Sequence, residues 1–134
     1  MTGGIELGGT TTVVAARAGD EPLVLHNRFL TDTPETTLAM AAASLAAVAP
    51  IDSLGVGSFG PVGVNPGHPS YGRILTTPKP GWSGFDLLGA LRKEFGDIPI
   101  ALDTDVNAAV VAEQTEGAGQ EVANLAYITI GTGI

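Results

Sequence analysis

The spacing of apolar residues changes along the chain, and this change constrains the fold more than any other sequence feature. Before residue 32, short apolar runs separated by turns at Gly8-Gly9 and Gly19-Asp20 predict three consecutive strands that pair as a meander. Further along, helical and strand patterns alternate. A meander followed by this alternation predicts an α/β domain, with a mixed sheet and helices on its faces.

Residues typical of helix ends place the helices within this pattern. Thr33 and Pro34 suit the N-cap and the first helical position, and Gly96 suits the end of a later helix. Helices are predicted from Pro34 towards Pro50, from Phe85 to Phe95 and from Asp105 towards Gly117. The expected order is β-β-β-α-β-α-β-α, with a five-stranded sheet and a further strand over Leu125–Ile130.

Charge and composition exclude several classes of function. Fourteen acidic residues against six basic ones give a net charge of −8, which disfavours nucleic acid and anionic membranes as partners. The absence of cysteine excludes disulfides and thiolate metal sites within the chain. Without a long apolar run or a secretory signal at its start, the chain is expected to be cytoplasmic. His26 and His68 lack ligand partners nearby in sequence and are expected to be surface or packing residues.

Three segments invite a chemical interpretation, although each taken alone also has a purely structural one. Glu6 precedes a Gly8-Gly9-Thr10 turn whose N–H groups could bind an anion, but the same residues are ordinary in a hairpin. Asp105 follows a strand and opens a helix, where a carboxylate could act as a general base or could simply cap the helix. The Ile130–Gly133 run is again a strand followed by a glycine turn, and with Gly8-Gly9-Thr10 it gives two turns that resemble phosphate-binding loops.

The irregular stretch between Gly60 and Ser83 is too long for a simple connection and contains five of the nine prolines. We interpret it as a functional insertion, from 59 to 83.

Taken together and in order, these segments resemble the actin-like ATPase superfamily of sugar kinases. Within it, the chain is most similar to the ROK family (repressors, open reading frames, kinases), in particular to bacterial fructokinases. The resemblance covers the whole chain and rests on Glu6 with Gly8-Gly9-Thr10, Asp103–Ala109, Thr129–Ile134, Ser58–Pro61 and Thr76–Trp82.

The resemblance implies a ribonuclease H-like fold, an ATP- and Mg²⁺-dependent reaction and a role for each matching residue. Asp105 would be the general base on the sugar hydroxyl, and Glu6 would hold Mg²⁺ through water. The ATP phosphates would be bound by Gly8, Gly9, Thr10, Thr11, Gly131, Thr132 and Gly133. The sugar side would be formed by Gly60, Pro61, Lys79, Pro80, Trp82, Thr104 and Asp105, although Trp82 could instead be a structural plug.

The match to the family pattern is imperfect, and the departures bear on the substrate. Glu6 replaces the Asp of many relatives, and Thr11 stands where many carry a Lys. Thr104 stands where glucose-specific relatives usually have Asn, which disfavours glucose. The resemblance to fructokinases makes fructose, phosphorylated to fructose 6-phosphate, the expected substrate. The alternatives are another ROK kinase, for glucose, mannose or an N-acetylated amino sugar, and a non-catalytic sugar-binding or regulatory protein.

The resemblance also implies a division into lobes. Residues 1–118 would form the N-terminal lobe and 119–134 the start of a second lobe, cut short in its phosphate motif. The complete protein is expected to be a homodimer that binds a hexose and ATP, with any structural zinc in the missing part. The fragment alone is expected to be inactive.

Overall fold

The strands and helices follow the predicted order. The computed structural model describes residues 1–130, and the elements in that range are β1 (Thr2–Leu7), β2 (Thr11–Arg17), β3 (Val24–Leu30), α1 (Pro34–Ala46), β4 (Ser53–Ser58), α2 (Leu87–Phe95), β5 (Ile100–Thr104) and α3 (Asp105–Thr115). None of the helices in this range is long and apolar enough to cross a membrane.

The five strands form one mixed sheet in the order β3-β2-β1-β4-β5. β1, β2 and β3 pair antiparallel, as a meander should. β4 pairs parallel to β1, and β5 pairs parallel to β4. The mixed α/β sheet predicted from the sequence is thereby confirmed.

Side-chain caps set the starts of the first two helices. The Thr33 hydroxyl accepts a hydrogen bond from the Thr36 N–H, with Pro34 in the first turn, as the sequence predicts. The second helix begins two residues later than predicted, because the Asp86 carboxylate caps it by accepting from the Gly89 N–H at 3.1 Å. Its end at Gly96 agrees with the prediction, and this glycine has a φ of 76°.

The core lies on one face of the sheet, under α1 and α2. Strand residues pointing to this face are buried, including Ile5, Val14 and Val56. They pack with the apolar residues of both helices and of the 59–83 insertion in one continuous cluster. Burial of this apolar face is the main stabilising contribution that the described residues show.

The 59–83 insertion has no helix of its own, yet it is an ordered part of the core. Isolated bridges join Val62 to Ile74 and Gly63 to Tyr71. Trp82, at 0% exposure, packs edge-on against Phe59 with ring centroids 5.2 Å apart, and its indole Nε1–H donates to the Asp32 carbonyl at 2.8 Å.

The prediction of a strand over Leu125–Ile130 is wrong for the residues that the structure describes. Within residues 1–130, this run forms no ladder, and its side chains are exposed. A strand needs a neighbour to accept and donate its main-chain hydrogen bonds, and no described segment takes that position.

Trp82 supplies a test of the core. Trp82→Phe removes the indole hydrogen bond and part of the buried volume, so we expect the free energy of unfolding to fall by about 2–4 kcal/mol. Urea titration followed by far-ultraviolet circular dichroism measures the change. Tyr127→Phe is the control at an exposed aromatic, where a shift below about 0.5 kcal/mol is expected. Equal effects of the two substitutions would contradict the role given to Trp82.

Candidate active site

Three parallel strands deliver the candidate segments to one edge of the sheet. In the register of β1, β4 and β5, Leu7 lies opposite Ser58, and Ser58 lies opposite Thr104. Each of these residues ends its strand. The chain then enters the Gly8-Gly9 turn, the 59–83 insertion and α3, respectively, so the parts predicted to bind phosphate, sugar and proton meet at the carboxyl edge.

One row below this edge, two carboxylates share a face of the sheet. Glu6 pairs with Gly57, and Gly57 pairs with Asp103. The side chains of Glu6 and Asp103 point away from the α1–α2 core. Because Gly57 has no side chain, β4 places no side chain between the two acids. Two strand spacings put their Cα atoms about 10 Å apart. The carboxylates therefore lie on the same face of the sheet, on either side of the place where α3 approaches Gly57.

These acids line a groove of about 790 Å³ between the open face of the sheet and α3. Its floor consists largely of small residues such as Gly4, Ala15 and Gly55, and Asp105 lies in its wall. The groove combines a mostly apolar surface with a few convergent acidic groups, which is the usual character of a ligand site.

Gly57 also determines how closely α3 approaches the sheet. A Cβ on Gly57 would lie 2.9 Å from the Ala108 Cβ and 3.4 Å from the Asp105 Cα. The first distance is shorter than real Cβ contacts allow, so the start of α3 lies where it does because residue 57 is glycine. The position of Asp105 over β4 follows from that contact.

Asp105 is not the N-cap of α3, so the purely structural interpretation of this residue is wrong. The N-cap is Thr104, whose hydroxyl accepts from the Asn107 N–H at 3.0 Å, and Asp105 is the first helical residue. Its Oδ1 accepts only the adjacent Val106 N–H among the hydrogen bonds described. Asp105 is therefore not needed as the cap, and its carboxylate is half-buried at the groove.

Asp103 is held in a fixed orientation. Its Oδ1 accepts from the Thr104 N–H at 2.7 Å and from the Asn107 Nδ2 at 2.8 Å. Asp103 belongs to the Asp103–Ala109 motif, but no role of its own is predicted for it from the sequence. The alternation in β5, with Leu102 facing the core and Asp103 the opposite face, is the signal that could have identified it.

The Gly8–Thr11 turn has its own hydrogen bond, from the Gly8 N–H to the Thr11 carbonyl at 3.1 Å. A Cβ on Gly8 would come within 2.6 Å of that carbonyl oxygen, so the turn requires glycine there. Gly9 and Thr10 are exposed, with no described atom within 4 Å of a Cβ built on Gly9. The turn is thus a tight, accessible loop with main-chain groups open to a ligand.

The residues of the insertion predicted to form the sugar side differ in how far they are exposed to solvent. Gly60, Pro61 and Pro80 are exposed. Lys79 is half-buried, and its Nζ donates to the Thr31 carbonyl at 3.1 Å. Trp82 is fully buried, so the expectation that it contacts sugar directly is corrected: its indole fills the core, which is the structural alternative.

A divalent cation fits the acids at the groove only in part. No described group of three or more His, Asp or Glu residues could by itself enclose a metal ion. Mg²⁺ in phosphate-transfer sites is commonly held by one or two carboxylates together with water and substrate phosphates. Glu6 and Asp103, on either side of Gly57, supply at most one or two such carboxylates, so water and substrate phosphates would have to provide the other ligands.

The remaining candidates lie away from these acids or outside the described residues. His26 is exposed in β3, and the Nδ1 of His68 forms a hydrogen bond with the Ser70 hydroxyl at 2.8 Å within the insertion. Gly131, Thr132 and Gly133, expected to bind phosphate, lie outside the described residues.

Comparison with known proteins identifies the family. The model of the ROK family matches residues 2–134. The chain belongs to the ROK family. A fructokinase from Pediococcus pentosaceus is 45% identical over 134 residues, which are 100% of this chain and 46% of that protein. A fructokinase from Lactococcus lactis subsp. cremoris is 39% identical over 132 residues, covering 98% of this chain and 44% of the relative.

The fold of this ROK chain also matches solved structures. A ROK family glucokinase from Streptomyces griseus, in complex with glucose and AMPPNP, superposes with a TM-score of 0.72 at 22% identity. The match covers 90% of this chain and 38% of the glucokinase. The actin-like ATPase fold is thereby confirmed, and the chain spans less than half the length of the curated relatives it matches.

The contact between Gly57 and α3 can be tested by adding one methyl group. Gly57→Ala should lower the free energy of unfolding by about 1–3 kcal/mol, because the new Cβ pushes α3 off the sheet. Gly55→Ala is a matched control on the same face of the same strand, where no described atom lies within 4 Å of the new Cβ. Its effect should be below about 1 kcal/mol. Urea unfolding measures both, and a larger loss for Gly55→Ala would contradict the close approach.

Proposed function

We propose that the chain is the N-terminal part of an ATP-dependent hexose kinase whose preferred substrate is fructose, phosphorylated to fructose 6-phosphate. In this proposal residues 1–118 form the N-terminal lobe, and 119–134 begin the second. The observation that carries it is the position of Asp105, which stands at the start of α3 beside the groove that Glu6 and Asp103 also line. The similarity to fructokinases along the full chain supports the sugar.

The transfer needs a base, an aligned phosphate and compensation of charge. The hexose hydroxyl oxygen attacks the γ-phosphorus, the bond from that phosphorus to the β–γ bridging oxygen breaks, and ADP leaves. The hydroxyl proton passes to the Asp105 carboxylate. Little covalent catalysis is required, so most of the rate enhancement comes from holding the two substrates in line.

Other residues would bind the phosphates of ATP. N–H groups of the Gly8-Gly9 turn and the hydroxyls of Thr10 and Thr11 would bind phosphate oxygens, a role that backbone donors of glycine loops perform without a lysine. Gly131, Thr132 and Gly133 would do the same from the second lobe.

The exposed residues Gly60, Pro61 and Pro80, together with Lys79 and Thr104, would shape the sugar pocket. Glu6 and Asp103 would hold Mg²⁺, which when bound neutralises charge on the phosphates.

A sugar panel on the complete polypeptide containing this sequence tests the proposal. With ATP present, we expect fructose to give the fastest release of ADP. Faster turnover of glucose, mannose or an N-acetylated amino sugar would replace fructose as the substrate. If no sugar accelerates ADP release, the protein is a binding or regulatory member of the family. The 134-residue chain alone should show no sugar-dependent ADP release, since ROK relatives are more than twice its length.

The base is tested separately with Asp105→Asn in the complete polypeptide. We expect turnover to fall by about 10²–10⁴-fold, because the amide cannot accept the proton, while sugar binding measured by calorimetry stays close to that of the unaltered protein. Asp97→Asn removes the same charge at an exposed position between α2 and β5 and should leave turnover unchanged. Near-normal turnover in Asp105→Asn would exclude the base.

A further inference from the structure

Thr31 lies at the junction of β3 and α1, and it has no role in the proposed reaction. It follows β3 and precedes α1, and it is only 7% exposed although it is polar. Buried hydroxyls in folded proteins are almost always hydrogen-bonded, so the partners of Thr31 indicate what it does. Those partners belong to two separate parts of the candidate site.

On one side, Thr31 holds the Gly8–Thr11 turn by both its main chain and its side chain. Its N–H donates to the Thr10 carbonyl at 2.9 Å. Its hydroxyl donates to the Gly8 carbonyl at 2.7 Å. That hydroxyl has a single proton, so in its 2.8 Å contact with the hydroxyl of Thr12 it must be the acceptor. Thr12 is itself fully buried, which fixes the orientation of the Thr31 hydroxyl.

On the other side, the same short segment is held by the insertion. The Lys79 ammonium donates to the Thr31 carbonyl at 3.1 Å, and the Trp82 indole N–H donates to the next carbonyl, that of Asp32, at 2.8 Å. The Asp32 N–H donates to the buried hydroxyl of Thr37 in α1 at 2.9 Å. Residues 31 and 32 are therefore bonded to the core, the insertion and the turn at once.

We infer that Thr31 is a positioning residue that fixes the Gly8–Thr11 turn relative to the 59–83 insertion. The turn is exposed and has a single internal main-chain bond among those described, so its carbonyls need an outside partner to hold a fixed position. N–H groups that bind phosphate are effective only if they are preorganised, and a displacement of about 1 Å can cost about 10²-fold in rate. Thr31 supplies that preorganisation without touching the nucleotide.

The kinetic test rests on the proposed function and uses the complete polypeptide. Thr31→Val keeps the buried volume but leaves the Gly8 carbonyl without its donor, and we expect the KM for ATP to rise about tenfold or more. Thr31→Ser keeps the hydroxyl and should restore the KM to within about threefold of its original value. Thr37→Val removes a hydroxyl that is equally buried and bonded to the same segment, but not to the turn. A purely structural loss lowers kcat through the folded fraction and leaves the KM for ATP unchanged, and we expect no more than this from Thr37→Val.

A second readout needs no kinase activity. In the 134-residue chain, Thr31→Val should speed amide hydrogen exchange at Gly8 and Thr31 by about tenfold or more, with the β4–β5 amides unaffected. Unaltered exchange at Gly8, or equal acceleration at every amide, would overturn the inference. If Thr31→Val does not fold, Thr12→Val, which only frees the Thr31 hydroxyl to rotate, should give a smaller acceleration confined to the same amides. An inactive complete polypeptide would count against the proposed function alone, because the exchange experiment still decides the role of Thr31.

Discussion

Parallel pairing of β1 with β4 and of β4 with β5 is the interaction on which the candidate site depends. It places Leu7, Ser58 and Thr104 in one row, so that three distant parts of the sequence leave the sheet at the same edge. If any one of these strands ran in the opposite direction, its following segment would lie at the far end of the sheet. The turn, the insertion and Asp105 form one site because of strand direction, before any side chain is considered.

The two faces of the sheet have different tasks, and the alternation of residues along each strand keeps them separate. One face carries large apolar side chains such as Ile5 and Val56 under α1 and α2, and it stabilises the domain. The opposite face carries glycines, alanines and the acids Glu6 and Asp103. Small residues there leave a groove open and bring α3 close, so the face that adds less to stability is the one that can bind.

Much of the fold could be predicted from the sequence because its signals are local. Periodicity, the Thr33-Pro34 start and Gly96 give the strands and helices of the domain within a few residues. The errors also have local causes: α2 starts at Leu87, capped by Asp86, rather than at Phe85, and Thr104 rather than Asp105 caps α3, since a neighbouring side chain can take over a cap. The strand expected over Leu125–Ile130 has the right alternation but no described neighbour.

The site was less predictable, because its geometry depends on contacts between residues far apart in sequence. The catalytic and phosphate motifs were recognised from their order along the chain. The placement of Glu6 and Asp103 on either side of Gly57 can be known only from the strand register. Thr31 has no motif, and its importance appears only when its bonds to Gly8 and Lys79 are seen together. The burial of Trp82 similarly follows from how the insertion folds back onto the core, which no spacing in its sequence specifies.

The central position of β1 also has a consequence for how the chain acquires its fold during translation. Among the described strands β1 is synthesised first, and its antiparallel neighbour β2 and then β3, which pairs with β2, follow it by Leu30. Its other neighbour, β4, begins only at Ser53, and β5 only at Ile100. Until then, one edge of β1 presents unpaired main-chain groups in a nascent hairpin. Sequence-distant pairings form slowly, so among the described strands the groove-forming half of the sheet is the last to be completed.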